Sequence, residues 1–251
     1  MLRWLIPLLI CALPLRAEEV VLGLSHSEVS ITADFDGSEL LIFGAVKREA
    51  PIKDPPLEVI VTVAGPSTPL TVFRKDRVAG IWINNSGVTM DRAPSFYALA
   101  SSAPLSDILS RSENLRHDIT INRAIRAVGI SGRAGSVGEF RDALVRMRTG
   151  EGLYQVLDSQ VTFREQTLFR TAITMPANLT EGTYTTRIFL IRGQEVVNWT
   201  STPIEVRKVG LERFLFSLSR NQPLLYGLLS LAIAIVAGWG ASGLFRMLRN
   251  G

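Results

Sequence analysis

The chain has 251 residues, 47% apolar and 20% charged, which is too hydrophobic for a disordered chain and too polar for a multi-span membrane protein. Arg3, Arg16, Arg246 and Arg249 stand at the two ends, where there are no acids; without them 23 bases face 23 acids. The pI of 9.6 therefore reports the termini, and the neutral middle excludes the basic footprint of a nucleic-acid binder. The first element begins at Met1-Leu2-Arg3, continues through an apolar run from Trp4 to Leu15 and closes with Arg16-Ala17-Glu18-Glu19. A positive start, a short apolar core and a small residue before a polar segment predict a secretory signal peptide over 1–17, cleaved after Ala17. The run contains Pro7 and Pro14 and falls short of the ~20 residues a spanning helix needs. Ile10 before Cys11, the sole cysteine, argues against lipidation. The mature chain is thus expected to rely on an ordinary core without disulfides.

Residues 18–208 read as an exported, mainly β domain of immunoglobulin-like sandwich type. Val29-Ser30-Ile31-Thr32-Ala33-Asp34-Phe35 alternates apolar and polar side chains, the period of a half-buried strand. Asp36-Gly37 then Leu40 to Val46 predicts a hairpin. Leu57 to Val63 is a β-branched run, followed by Leu70 to Phe73, Val78 to Ile83 and Val88 to Met90, with Asn84-Asn85-Ser86-Gly87 as a turn. From about 94 to 150 the pattern becomes helical. Pro104 opens one helix carrying Leu105, Ile108, Leu109 and Leu115, and Ser136-Val137-Gly138-Glu139 fits a capping box before Phe140, Leu144 and Met147. Strands return at Gln160 to Phe163, Leu168 to Met175, Thr183 to Ile191 and Glu195 to Thr200, with Arg192-Gly193 as a turn, and at Ile204 to Arg207. The pattern fits one sandwich with a helical insertion, the preferred reading, or two small sandwiches with helices between them.

Residues 209–222 place Leu211, Phe214, Leu215 and Leu218 at helical spacing. They form an amphipathic juxtamembrane helix, lying on a leaflet or extending the segment that follows. Asn221 to Phe245 holds no charge, and 223–245 is long enough to cross a bilayer. A signal peptide followed by this stop-transfer helix predicts one pass, with residues 246–251 as a cytoplasmic tail whose two arginines fit the positive-inside rule. Ser230, Ala234, Gly238 and Ser242 stand at four-residue intervals and form a small-residue face for packing another helix.

No catalytic or metal constellation is apparent. His26 and His117 lie far apart, and no spacing resembles a zinc site. Ala134-Gly135-Ser136-Val137-Gly138 lacks the first glycine and the strand of a nucleophile elbow. Gly238-Trp239-Gly240-Ala241-Ser242-Gly243 matches a dinucleotide fingerprint in letters only, because it lies in the apolar helix. No enzyme activity and no cofactor or metal are expected. Arginine is dense between 111 and 148, where Arg141 and Arg148 are candidate anion contacts; solvated helix faces are the plainer explanation.

Several stretches in order carry a resemblance to a family: Ala93-Pro94-Ser95-Phe96-Tyr97-Ala98, Phe140-Arg141-Asp142-Ala143-Leu144, Gly152-Leu153-Tyr154, Met175-Pro176-Ala177-Asn178, Tyr226-Gly227 and Gly238-Trp239. Together with the two hydrophobic ends they resemble the alphaproteobacterial putative transmembrane protein family (Alph_Pro_TM). The resemblance implies a bacterial inner-membrane protein with a periplasmic domain, and brings no catalytic residues. Members are often encoded beside permeases resembling sulfite exporters, which implies an integral membrane partner of that kind. The expected function is therefore a non-catalytic accessory or assembly subunit of a membrane transport complex, in contact with the lipid bilayer and not with nucleic acid. The alternatives are a periplasmic anion or ligand sensor and an envelope-structural domain.

Overall fold

Long-range strand pairing dominates this computed structural model, which describes residues 19–24, 28–31, 37–47, 54–127, 137–208, 215 and 218–249. One sheet holds β1 (Glu19–Leu24), β3 (Gly37–Lys47), β10 (Leu168–Pro176) and β9 (Thr162–Arg164), in the order β1-β3-β10-β9. The central sheet holds β2 (Glu28–Ile31), β12 (Glu195–Lys208), β11 (Gly182–Arg192), β4 (Glu58–Ala64), β7 (Tyr97–Ser101) and β8 (Tyr154–Leu157), in the order β2-β12-β11-β4-β7-β8. A separate two-stranded ribbon joins β5 (Ser67–Val78) to β6 (Ile81–Pro94). The chain is mainly β, as expected.

Burial explains the stacking. In β3, Leu40, Ile42 and Val46 are buried while Leu41, Phe43 and Lys47 are exposed; in β10, Phe169, Ile173 and Met175 alternate with Leu168, Arg170 and Thr174. This sheet therefore has one wet and one dry face. In the central sheet, Val59 to Val63 and Tyr97 to Ser101 are buried without interruption, so both of its faces are covered. One face joins the dry face of the first sheet in a single core, where each fully buried aliphatic side chain contributes roughly 1.5–3 kcal/mol. Helical segments follow between β7 and β8: α1 (Leu105–Ile108), α2 (Arg111–His117), α3 (Ile121–Ala124) and α4 (Val137–Gly150); the α2–α3 junction is bonded to β7 and β11 of the central sheet, and α4 packs against β8 and the ribbon. Strands from both sides of this stretch pair with each other, β3 with β10 and β4 with β11.

Three local expectations are corrected. β2 and β3 form no hairpin: β2 lies parallel to β12 in the central sheet, and β3 pairs with β1 and β10. The Asp36-Gly37 signal was local, whereas partner choice followed the burial of Leu40 and Ile42. Asn84 to Gly87 is strand within β6, and the ribbon turns at Ala79-Gly80, both at positive φ (48° and 86°). The helix expected from Leu105 to Leu115 is two short ones, because Leu109 is extended (φ −121°, ψ 113°); Leu115 is exposed. The signal peptide, Cys11, His26 and the proposed Ser136 cap lie outside the described residues. The chain ends in α5 (Pro223–Arg249), and Pro223–Ser242 is long and apolar enough to cross a membrane, with no part buried against the protein.

Candidate functional site

A group of ionisable side chains, Glu113, Arg116, His117, Asp118 and Arg187, surrounds the end of α2. Ser110 caps this helix, its Oγ accepting from the Glu113 N–H at 3.3 Å. The capped turn carries the Glu113 carboxylate into the protein, where it is 5% exposed. There it accepts from the Val196 N–H at 3.3 Å and meets Arg116 Nη1 at 3.1 Å and His117 Nε2 at 3.5 Å. The His117 ring packs edge-on against Phe189 and Trp199. Asp118 ends the helix in the left-handed region, φ 50°. Arg187, reaching from β11, donates to the carbonyls of His117 at 2.7 Å and Asp118 at 3.0 Å, satisfying helix-end acceptors. Its guanidinium lies 5.2 Å from the Phe189 ring centroid.

Three buried tyrosines lock neighbouring segments. The Tyr97 hydroxyl donates to Ile119 O at 2.6 Å, Tyr154 to Pro94 O at 2.7 Å and Tyr184 to Thr180 O at 2.8 Å. Burial pushes the Tyr154 and Tyr184 phenols up to about 12, and raises Tyr97 against the opposing charge of Arg187. Neutral phenols held this way act as donors to fixed carbonyls. Beside them a cleft of about 380 Å³ is lined by Arg92, Tyr97, Asp118, Thr183, Thr185 and Arg187, among others. Arg92 Nη2 stands 3.6 Å from the Asp118 carboxylate. Thr183 Oγ1 donates to Glu205 at 2.9 Å and Arg187 is engaged in holding α2, which leaves Arg92 and the Thr185 hydroxyl to meet an anion at the rim.

The residues singled out in the sequence are distributed differently. Arg141 and Arg148 both lie on α4, two turns apart. Arg148 Nη1 meets Glu151 at 3.2 Å, and the buried Arg141 Nε has no hydrogen-bond partner among the described residues. Arg92 and Arg187, which line the cleft, were not singled out. The usable signal for Arg187 was parity: in Thr185-Thr186-Arg187-Ile188-Phe189 a charge shares a strand face with Phe189. Among the described residues, no group of three or more His, Cys, Asp and Glu could hold a metal ion.

On α5, Ser230, Ala234, Gly238 and Ser242 each advance ~400° and share one broad face, drifting ~40° per step. Gly227 falls on the same face, and Leu225, Leu229 and Val236 lie on the opposite one. A Cβ added at Gly227, Gly238 or Gly240 would meet nothing within 4 Å.

Among the described residues, a β-rich fold carries one unpacked apolar helix of spanning length, which defines a protein with a candidate membrane anchor. Residues 19–247 match the family described as "Putative transmembrane protein (Alph_Pro_TM)", and the chain belongs to that family. No curated protein matches the chain.

Proposed function

We propose that this chain is a non-catalytic accessory or assembly subunit of a membrane transport complex in the bacterial inner membrane. In this reading residues 18–208 are periplasmic, α5 crosses the bilayer and 246–251 are cytoplasmic. The carrying observation is α5 itself: a spanning-length helix with a continuous small-residue face and no burial against its own chain. In lipid, helices associate where small side chains let backbones approach, so this face is suited to a second membrane helix. The engagement of Glu113, Arg187 and the three tyrosines in structural bonds supports a role by contact. The family resemblance suggests a partner similar to sulfite-exporter permeases.

Affinity purification of the tagged full chain at native expression tests the reading. A permease should co-purify, and should be lost in Gly238→Leu and Ala234→Leu while both variants stay in the membrane fraction. Recovery of the chain alone, or unchanged partner recovery in both variants, contradicts it. For orientation, alkaline phosphatase fused after Lys208 should be active and fused after Gly251 inactive. A second reading, an anion sensor, draws on the Arg92–Arg187 cleft. It requires an added anion to raise the melting temperature of the full chain, and Arg92→Ala to abolish the shift.

A further inference from the structure

The β5–β6 ribbon has a feature that neither the fold nor the proposed partner contact uses. Its proximal half is anchored: Val72, Val88 and Met90 are buried in the core. Beyond them, from Phe73 through the turn to Gly87, the side chains are exposed or half-buried, and Ser86 tucks its hydroxyl out of solvent. Six residues of β5 at ~3.3 Å each carry the tip about 20 Å past the last buried pair. Solvent-exposed ribbon is normally polar, yet this tip is not. Ile81 is 67% exposed, Trp82 66%, Val78 47% and Ile83 42%.

The register shows how these side chains are arranged. Val78 pairs with Ile81 and Asp76 with Ile83 on one face; Arg77 pairs with Trp82 on the other. The end of the ribbon is thus apolar on both faces. A surface built to lie flat on another protein needs only one apolar face, whereas an end-on wedge entering an apolar medium needs both. Just behind the tip stand Arg74 and Lys75, while Arg77 lies level with Trp82 and its Nε donates to the turn carbonyl of Gly80 at 3.4 Å; the one acid, Asp76, accepts from Asn85 Nδ2 at 2.9 Å and meets Arg74 Nε at 3.9 Å. An apolar, tryptophan-bearing tip with a basic collar complements a lipid interface: tryptophan favours the headgroup level, and the cations meet anionic phosphates.

The topology places the root of the ribbon suitably. β4 ends and β7 begins at Ala64 and Tyr97, which pair. Thr185 of β11 pairs with both Ala64 and Pro203, so this end of the central sheet is the one from which β12 runs out toward α5. The ribbon springs from the same end of the sheet as the chain that leads to the candidate span.

We propose that the β5–β6 tip is a second, peripheral membrane contact: Val78, Ile81, Trp82 and Ile83 enter the interface of the bilayer that α5 spans, and Arg74, Lys75 and Arg77 bind the headgroups of anionic phospholipid. The site needs only α5 in a bilayer, and stands whether or not a permease is the partner of that helix.

The test uses the full chain in nanodiscs of equal parts phosphatidylcholine and phosphatidylglycerol. With Cys11→Ser as background, Asn84→Cys carries a spin label beside the tip, Thr174→Cys a label on the wet face of the first sheet, and Ile233→Cys a label inside α5. Power saturation reads each label's accessibility to oxygen, which concentrates in lipid, against a water-soluble nickel chelate. The oxygen-to-nickel ratio at position 84 should exceed that at position 174 several-fold. It should return to the water-like value in Lys75→Glu/Arg77→Glu and in Ile81→Ser/Trp82→Ser, both with unchanged thermal unfolding. A lipid-like reading at position 233 certifies that the anchor is inserted. With that in place, a water-like label at position 84, or immersion indifferent to both double variants, overturns the proposal.

Discussion

Arg187 carries more of the described structure than its place in an alternating strand announces. Its fork ties the last turn of α2 to β11 through two carbonyls. Hydrogen bonds from a charged donor contribute roughly 1.5–3 kcal/mol each, and solvent at this half-buried site lowers the sum. Arg187→Ala should therefore cost about 2–3 kcal/mol, on the order of 5–10 °C in Tm for a chain of this size. Arg187→Lys should recover only part, because an ammonium cannot reproduce the fork. Thermal unfolding of the full chain in detergent checks both; a neutral Arg187→Ala would remove the clamp from this account. The tyrosines make a pH prediction. Tyr154 and Tyr184 are raised from 10.0 to about 12, so between these values the unfolded chain loses protons that the folded chain keeps. Their contribution is complete below pH 10 and is lost as pH rises toward about 12, with a slope of about 1.4 kcal/mol per pH unit for each tyrosine. Phenolate absorbance should rise together with loss of the circular dichroism signal. More than one phenolate titrating near pH 10 in a folded chain would contradict the burial, since Tyr226 is exposed. At this scale the sequence was legible where a residue's role was local: Gly193 was expected in a turn, and it joins β11 to β12 at φ 57°. It was silent on Glu113, Arg187 and Tyr97, whose partners lie 22 to 83 residues away.

Elements were legible in proportion to how much of their signal was their own. α5 needed only a long uncharged run. β4, β10 and β11 showed in their apolar or alternating patterns, because burial acts on each side chain. The ribbon was misread because the same cues mean something else in a solvated strand. Asn84 and Asn85 are polar because both ribbon faces are wet at that level, and Gly87 is the seat of the Phe73 ring, which a Cβ would meet at 2.8 Å. The true turn, Ala79-Gly80, hid inside an apolar run. Ala79 holds φ 48°, a conformation costly for an L residue other than Asn or Asp. Ala79→Asn creates the preferred Asn-Gly turn and should stabilise the distal ribbon by up to about 1 kcal/mol. Amide exchange from Phe73 to Gly87 should slow by up to about fivefold while core amides are unchanged. Unaltered ribbon exchange would show that the turn does not limit its opening.

At the scale of the molecule, a mainly β fold of interleaved strands precedes one helix that is not buried against it. Pairing of β3 with β10 and β4 with β11 could not be read from spacing, because both join segments separated by the helical stretch. The absence of burial along Pro223–Ser242 predicts that residues 18–208, produced alone, retain a β-dominated circular dichroism spectrum, unaffected by chelator or reductant. A largely helical or disordered spectrum would contradict that independence. The central claim is that α5 meets a partner helix through its small-residue face. Site-specific photo-crosslinking in native membranes tests it most directly. Probes at Ala234 and Gly238 should trap one discrete membrane polypeptide, and probes at Leu229 and Val236, on the opposite face, should trap none. Crosslinks of equal strength from both faces, or from neither, would contradict the claim.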